Sequence, residues 1–171
     1  MWAGRRTLKI MKTIALVLIF SVCSLTGIYK SLSLSARCRE LERAVRAVER
    51  IGAGISGTRC VCGDLLRGAS EESGSRLFSA VSGCLTDSPR QAFENADLSG
   101  THLSADDLTT AEAYFANFGR TGSEDQIRLC RRISEEFGLR LDSADSDRKK
   151  YSKLWAEGGV LVGLFIVILL I

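Results

Sequence analysis

Six cysteines, one histidine and two pairs of adjacent glutamates are the side chains of this 171-residue sequence that could do chemistry. The cysteines are Cys23, Cys38, Cys60, Cys62, Cys84 and Cys130. They include no C-x-x-C pair and have no histidine at ligand spacing, so a zinc site is not indicated. Cys60-Val61-Cys62 is the one close pair, and C-x-C lacks the usual spacing of thiol oxidoreductases. Cys23 falls inside an apolar run, and Cys38 and Cys130 fall on apolar helical stripes, where a thiol behaves as a small buried hydrophobe. That pattern favours a reducing compartment, while the even count also suits a disulfide framework. His102 has no serine or cysteine visibly paired with it and reads as an exposed loop residue. Glu71-Glu72 and Glu135-Glu136 are sequence neighbours, which on a helix point in different directions and make no acid/base pair, so both are expected to be solvated.

Gly52-Ala53-Gly54-Ile55-Ser56-Gly57 satisfies the G-x-G-x-x-G fingerprint of dinucleotide-binding proteins. The fingerprint requires a strand before it, and a helical pattern precedes it here. No G-x-x-x-x-G-K-[ST] phosphate loop occurs. The net charge of +3 is mild. Acidic and basic residues interleave in Arg37, Arg39, Glu40, Glu42, Arg43, Arg46, Glu49 and Arg50, the pattern of a solvated helix face rather than of a phosphate-binding stripe. The sequence therefore predicts no enzyme, no cofactor, no metal, no small-molecule substrate and no nucleic-acid partner.

The elements are predicted to be helices throughout. One proline and few alternating β-branched runs leave little punctuation for a sheet. From Leu34 the apolar positions Leu34, Cys38, Leu41, Val45, Val48 and Ile55 recur at helical intervals, and the helix should end within 52–57. Shorter helices are expected over 62–69 and 75–85, separated by the breaker Gly74. Ser88-Pro89 reads as an N-cap with proline in the first turn. Ser104 should cap a helix that has Asp106 and Asp107 in its first turn, carries Leu108, Ala111, Phe115 and Phe118 on one face, and stops at Gly119. Ser123 with Gln126 predicts a capping box for a last helix striped by Ile127, Cys130, Phe137, Leu141 and Ala144, with Gly138 as a possible bend point.

Both ends are apolar. Residues 13–28 carry no charge, and the predicted first membrane helix is 13–29. The competing reading is a secretory signal, disfavoured because the candidate cleavage sites lie beside Leu25, Ile28 and Tyr29. The run 158–171 spans only ~21 Å as a helix, and extension back to Leu154 gives ~27 Å, with Trp155 at headgroup depth. Its basic flank of Arg148, Lys149, Lys150 and Lys153 places the middle of the chain in the cytoplasm. Arg5, Arg6, Lys9 and Lys12 oppose that topology, and translation from Met11 would remove most of them. Gly159 and Gly163 form a small-x-x-x-small pair that would let another membrane helix approach. The resulting plan is a lead-in over 1–12, a transmembrane helix at 13–29, a cytoplasmic helical-bundle domain over 30–153 and a second transmembrane helix at 154–171.

With the helices placed, the chain resembles the stage III sporulation protein AB family of endospore-forming bacteria. The likeness is carried by Phe118-Gly119-Arg120-Thr121, by Asp125-Gln126-Ile127, and by Tyr151-Ser152-Lys153-Leu154-Trp155 leading into Gly159-Val160-Leu161-Val162-Gly163. Arg39-Glu40-Leu41 looks like the family's opening. The resemblance implies an all-α, membrane-anchored bundle, distantly similar to the inner-membrane platform protein of type II secretion. Such a protein would sit in the mother-cell membrane facing the forespore, as part of a channel complex, and its cytoplasmic domain would dock a separate ATPase. Candidate protein-contact residues are Gly119, Arg120, Thr121, Asp125 and Gln126, together with Tyr151 and Trp155. The alternative is a secreted or surface-anchored helical protein with a cleaved signal and disulfides.

Overall fold

Six helices account for the regular structure of residues 3–57, 62–85 and 88–170, the part of the chain that the computed structural model describes. They are α1 (Ala3–Gly57), α2 (Cys62–Ser73), α3 (Arg76–Gly83), α4 (Pro89–Asn95), α5 (Ala105–Asn117) and α6 (Ser123–Leu170). The all-α expectation holds.

Local chemistry sets most of the boundaries. Gly74, at φ +63, turns the chain out of α2, and the Ser75 side chain accepts from the Phe78 amide to open α3. Ser88 caps α4 with Pro89 in the first turn. Ser104 and Asp107 form a reciprocal capping box on α5, each side chain satisfying the other's backbone amide. The capping box expected at Ser123 and Gln126 does not form. Ser123 is already helical, the Gln126 amide donates to the Gly122 carbonyl at 3.0 Å, and the Gln126 side chain is used elsewhere. The last helix runs through Gly138 without interruption.

The chain divides into two compact units, Met1–Ser35 with Ser146–Ile171, and Ala36–Asp145. α1 and α6 each contribute to both. The second unit holds the core. α1 supplies Cys38, Leu41, Ala44, Ala47, Val48 and Ile51, and α6 supplies Cys130, Ile133, Phe137 and Ala144. Between these, Phe78 of α3, Phe93 of α4, Tyr114 and Phe115 of α5 and the adjoining Phe118 form a continuous aromatic cluster, with ring centroids 5.2–6.0 Å apart. Offset and tilted contacts at such distances stabilise beyond simple area burial.

The glycines that mimic a nucleotide fingerprint have a packing role. A Cβ on Gly52 would come 3.2 Å from Cys130 Cβ on α6, and one on Gly54 would come 2.5 Å from Leu65 Cδ2 on α2. At Gly52 the missing side chain lets α1 lie close to α6, while at Gly54 the facing atom is the movable tip of Leu65; both glycines lie inside a helix and not in a strand-to-helix turn.

In the first unit the apolar side chains point the other way. Among the described residues every large apolar side chain that is well exposed, Leu139 excepted, belongs to it, from Val17 to Leu32 on α1 and from Tyr151 to Ile168 on α6. Among the described residues no helix is long and apolar enough to cross a membrane. Parts of both apolar runs, including the side chains of 13–16 and residue 171, lie outside the described residues.

Candidate functional site

The α5–α6 connection is a closed hydrogen-bonded knot with an outward rim. α5 ends at Phe118, whose amide donates to the Tyr114 carbonyl, and Gly119 follows at φ +81. That left-handed conformation favours glycine, and a Cβ there would also stand 3.1 Å from Cys62 Sγ. Gln126, buried on the first turn of α6, fills the turn. Its Nε2 donates to the Asn117 carbonyl at 3.1 Å and to Thr121 Oγ1 at 2.7 Å, and its Oε1 accepts from the Gly119 amide at 3.1 Å. Both amide protons and the carbonyl oxygen are thereby occupied. Gly119 and Gln126 hold the loop in shape, while Arg120, Thr121 and Asp125 are exposed.

Two grooves flank that rim. Arg120 lines one of about 460 Å³ with Pro89, Arg90, Gln91 and Phe118. Thr121 and Asp125 line another of about 350 Å³ with Arg128, Leu129 and Arg132. Asp125 and Glu124 stand at the amino end of α6, where negative charge complements the helix dipole, and both approach Arg128 at 3.6 Å.

Two buried carboxylates tie α1 to the rest of its unit: Asp107, expected only as a first-turn charge of α5, and Glu40, which is buried against the expectation that its charge pattern marks a solvated helix face. Asp107, fully buried, receives Arg37 through a fork, Nε to Oδ2 at 2.8 Å and the second nitrogen to Oδ1 at 3.0 Å. Arg140 of α6 approaches the same carboxylate at 3.8 Å. Burial alone would raise the Asp107 carboxyl, but hydrogen bonds from Arg37 and Ser104 outweigh it and hold the group below the ordinary aspartate range. Glu136 extends the network. The Thr110 hydroxyl donates to it at 2.6 Å, and this bond, with Arg140 nearby, lowers its carboxyl against a smaller opposing effect of burial. Glu136 is thus turned toward α5, against the expectation that both members of the Glu135-Glu136 pair are simply solvated. Glu40 is the second buried carboxylate. It accepts from the Ser75 hydroxyl at 2.8 Å and from the Leu77 amide at 2.9 Å, capping α3 from a different helix.

Among the described residues of this unit, no nucleophile is brought together with a base. Cys130 is buried, which pushes its thiol up, and the Tyr114 hydroxyl stands 3.8 Å from it. Burial likewise pushes the Tyr114 hydroxyl well up. Cys62, Cys84 and Cys130 are free thiols. Cys60 lies outside the described residues, as do the surroundings of Cys23. His102 is exposed in the α4–α5 loop at φ 59. Glu71 and Glu72 are exposed, and Glu72 pairs with Arg50 at 2.6 Å. Among the described residues no cluster of histidine, cysteine and carboxylate could hold a metal ion.

The aromatic collar belongs to the other unit. Tyr151 and Trp155 line a groove of about 560 Å³, with Leu154, Gly158 and Val162 on α6 and Val22, Thr26 and Gly27 on α1. At its end the Ser31 and Ser152 hydroxyls meet at 2.6 Å, and Lys150 Nζ stands 5.1 Å from the centre of the Tyr151 ring. Gly159 and Gly163 lie one turn apart in α6, and what surrounds them lies outside the described residues.

Compared with known proteins, the chain is matched over residues 12–171 by the family model described as stage III sporulation protein AB. No curated protein and no solved structure matches it.

Proposed function

Since the chain belongs to the stage III sporulation protein AB family, and so has a role in sporulation, we propose that it is a non-catalytic membrane component of a secretion-like channel complex between mother cell and forespore. Its terminal runs anchor it in the mother-cell membrane facing the forespore, and residues 30–153 form a cytoplasmic platform on which a separate ATPase docks. The observation that carries this reading is the inversion between the two units: apolar side chains are packed inward over 36–145 and presented outward on both helices of the other unit. An outward apolar surface of that extent needs a nonaqueous partner, and lipid is the solvent that matches it.

The docking surface in this reading is the rim of Arg120, Thr121 and Asp125 with its two grooves. The rim is already rigid, because Gln126 satisfies the loop from within, so a partner meets a preformed surface and pays little ordering entropy. The chain has no phosphate-binding loop, so energy would come from the partner. The disulfide-stabilised secreted alternative is less well supported, since Cys62, Cys84 and Cys130 are thiols.

Two measurements test the proposal. The full chain is expected to stay in the membrane pellet of sporulating cells after a high-salt wash and to need detergent for release; recovery without detergent would overturn the anchoring. A photo-crosslinker at position 120 or 125 is expected to capture an ATPase, whereas capture from an α2 position such as 67 and from neither rim position would move the docking face elsewhere.

A further inference from the structure

The collar groove has the chemistry of a binding site for an anionic phospholipid. Its walls are apolar, built from Val22, Leu154, Val162 and the rings of Tyr151 and Trp155. Of the polar groups on its lining side chains, the Thr26 hydroxyl donates to the Val22 carbonyl at 2.7 Å, while the Tyr151 hydroxyl and the Trp155 indole N–H are tips of otherwise apolar rings, the amphipathic chemistry suited to a headgroup level. One end of the groove is marked by charge. The Ser31–Ser152 contact brings the stretch at Lys30 on α1 and the stretch from Lys150 to Lys153 on α6 to one level, and Tyr151, a lining residue, carries the Lys150 ammonium 5.1 Å from its ring. Between Arg148 and Lys153 every charged residue is basic, and Lys30 adds a further cation from the facing helix. Glu157, deeper along α6, is paired with Lys153 at 3.7 Å.

An apolar trough that ends at a layer of ammonium groups and aromatic rings complements an amphiphile with a negative head. The basic flank serves topology whatever fills the trough, but a transmembrane helix of a protein partner would match the trough alone, whereas an anionic lipid matches the trough and the cations together. We propose that this groove holds one acyl chain of an anionic phospholipid, with the headgroup phosphate at Lys150 and Lys30. The inference rests on the membrane-anchored reading. It adds that anchoring is selective for lipid charge, so that the chain is enriched where anionic lipid is.

The test uses the full chain in detergent micelles doped with equal amounts of phosphatidylglycerol and phosphatidylcholine, with bound lipid counted by native mass spectrometry. Phosphatidylglycerol adducts are expected to exceed phosphatidylcholine adducts roughly ten- to thirtyfold, the order that two ammonium groups near an anionic headgroup supply. The double variant Lys30→Gln, Lys150→Gln should bring that ratio close to one, by lowering phosphatidylglycerol adducts toward the phosphatidylcholine level while phosphatidylcholine adducts change little. Gly158→Leu, at a position where an added Cβ meets nothing within 4 Å, should fill the groove and reduce both lipids, with helical content checked by circular dichroism. Equal retention of the two lipids by the wild-type chain would overturn the proposal. So would a preference that survives the double lysine variant, or a second copy of the chain seated in place of lipid. Release of the chain from membranes without detergent would instead remove the anchoring reading beneath it, and the two failures are separable because the micelle experiment does not depend on fractionation.

Discussion

α1 and α6 behave oppositely in their two halves. Over 36–145 they turn Leu41, Val48, Ile133 and Phe137 inward and completely bury them, whereas in the other unit the same two helices leave Leu25, Leu161 and Phe165 more than half exposed. Intrinsic helix propensity is lower in the terminal runs, rich in Val, Ile and Gly, than in 36–51, yet both are helical, so propensity does not explain the contrast; what differs is which solvent each surface is suited to meet. A helix can be amphipathic along one part and uniformly apolar along another, and only the first part has to be stabilised by partners from its own chain.

The contrast can be broken or sharpened by substitution, with stability read from denaturant or thermal unfolding of the full chain in detergent. The largest effect is expected at the centre of the aromatic cluster, where Phe115→Ala should cost ~3–5 kcal/mol through lost burial and the cavity left behind. A cost below ~1 kcal/mol there would mean that the second unit is not a packed core. Asp107→Ala should follow at about 3 kcal/mol, because it strands Arg37 and removes the α5 cap together. Gln126→Ala should cost about 1–3 kcal/mol, since the Asn117 carbonyl and Gly119 amide lose their partner inside the loop. The smallest effect is expected for Phe165→Ala, within about 0.5 kcal/mol, as for other exposed positions. A large loss at Phe165 would show that the first unit has an interior of its own.

Acid offers a second way to separate the units. The Asp107 carboxyl is held low in the folded chain, so it binds a proton more readily when unfolded. Its contribution is complete above the unfolded-state pKa of about 4 and is lost as pH falls through the folded value. The stability gap between wild type and Asp107→Asn should therefore be flat from neutral pH down to about pH 5 and narrow below pH 4. A gap that stays constant to pH 2 would place the carboxylate outside the folding equilibrium.

Much of the fold was legible because caps are local. Ser88-Pro89, Ser104 and the glycine at 119 each announce a boundary within three or four residues of themselves, and each boundary falls there. The buried stripes of α1 and α6 were legible too, although Ala44 and Ala47 pack as closely as the larger residues named from spacing. Gln126 was misread because a glutamine three residues after a serine suits a capping box, and only the tertiary turn shows that its amide reaches back to α5. Asp107 and Glu40 were illegible as anchors for a related reason. Their partners lie 70 and 37 residues away, and one carboxylate in a mixed charge pattern carries no mark of its partner. Of the loop residues named from the sequence, Gly119 and Gln126 support the turn from within, and Arg120, Thr121 and Asp125 lie on its exposed rim.

The carboxylate that caps α3 from α1 bears on the order in which the molecule can assemble during translation. α3 has eight residues, too few to persist as an isolated helix in water. Its Leu77 amide and the hydroxyl of its cap Ser75 are met by Glu40, which leaves the ribosome well before either of them does. α1 is then a waiting template, and α3 is expected to gain amide protection only when it lands on it, so pulse-labelled hydrogen exchange of Glu40→Ala should delay α3 while leaving the exchange of α1 nearly unchanged.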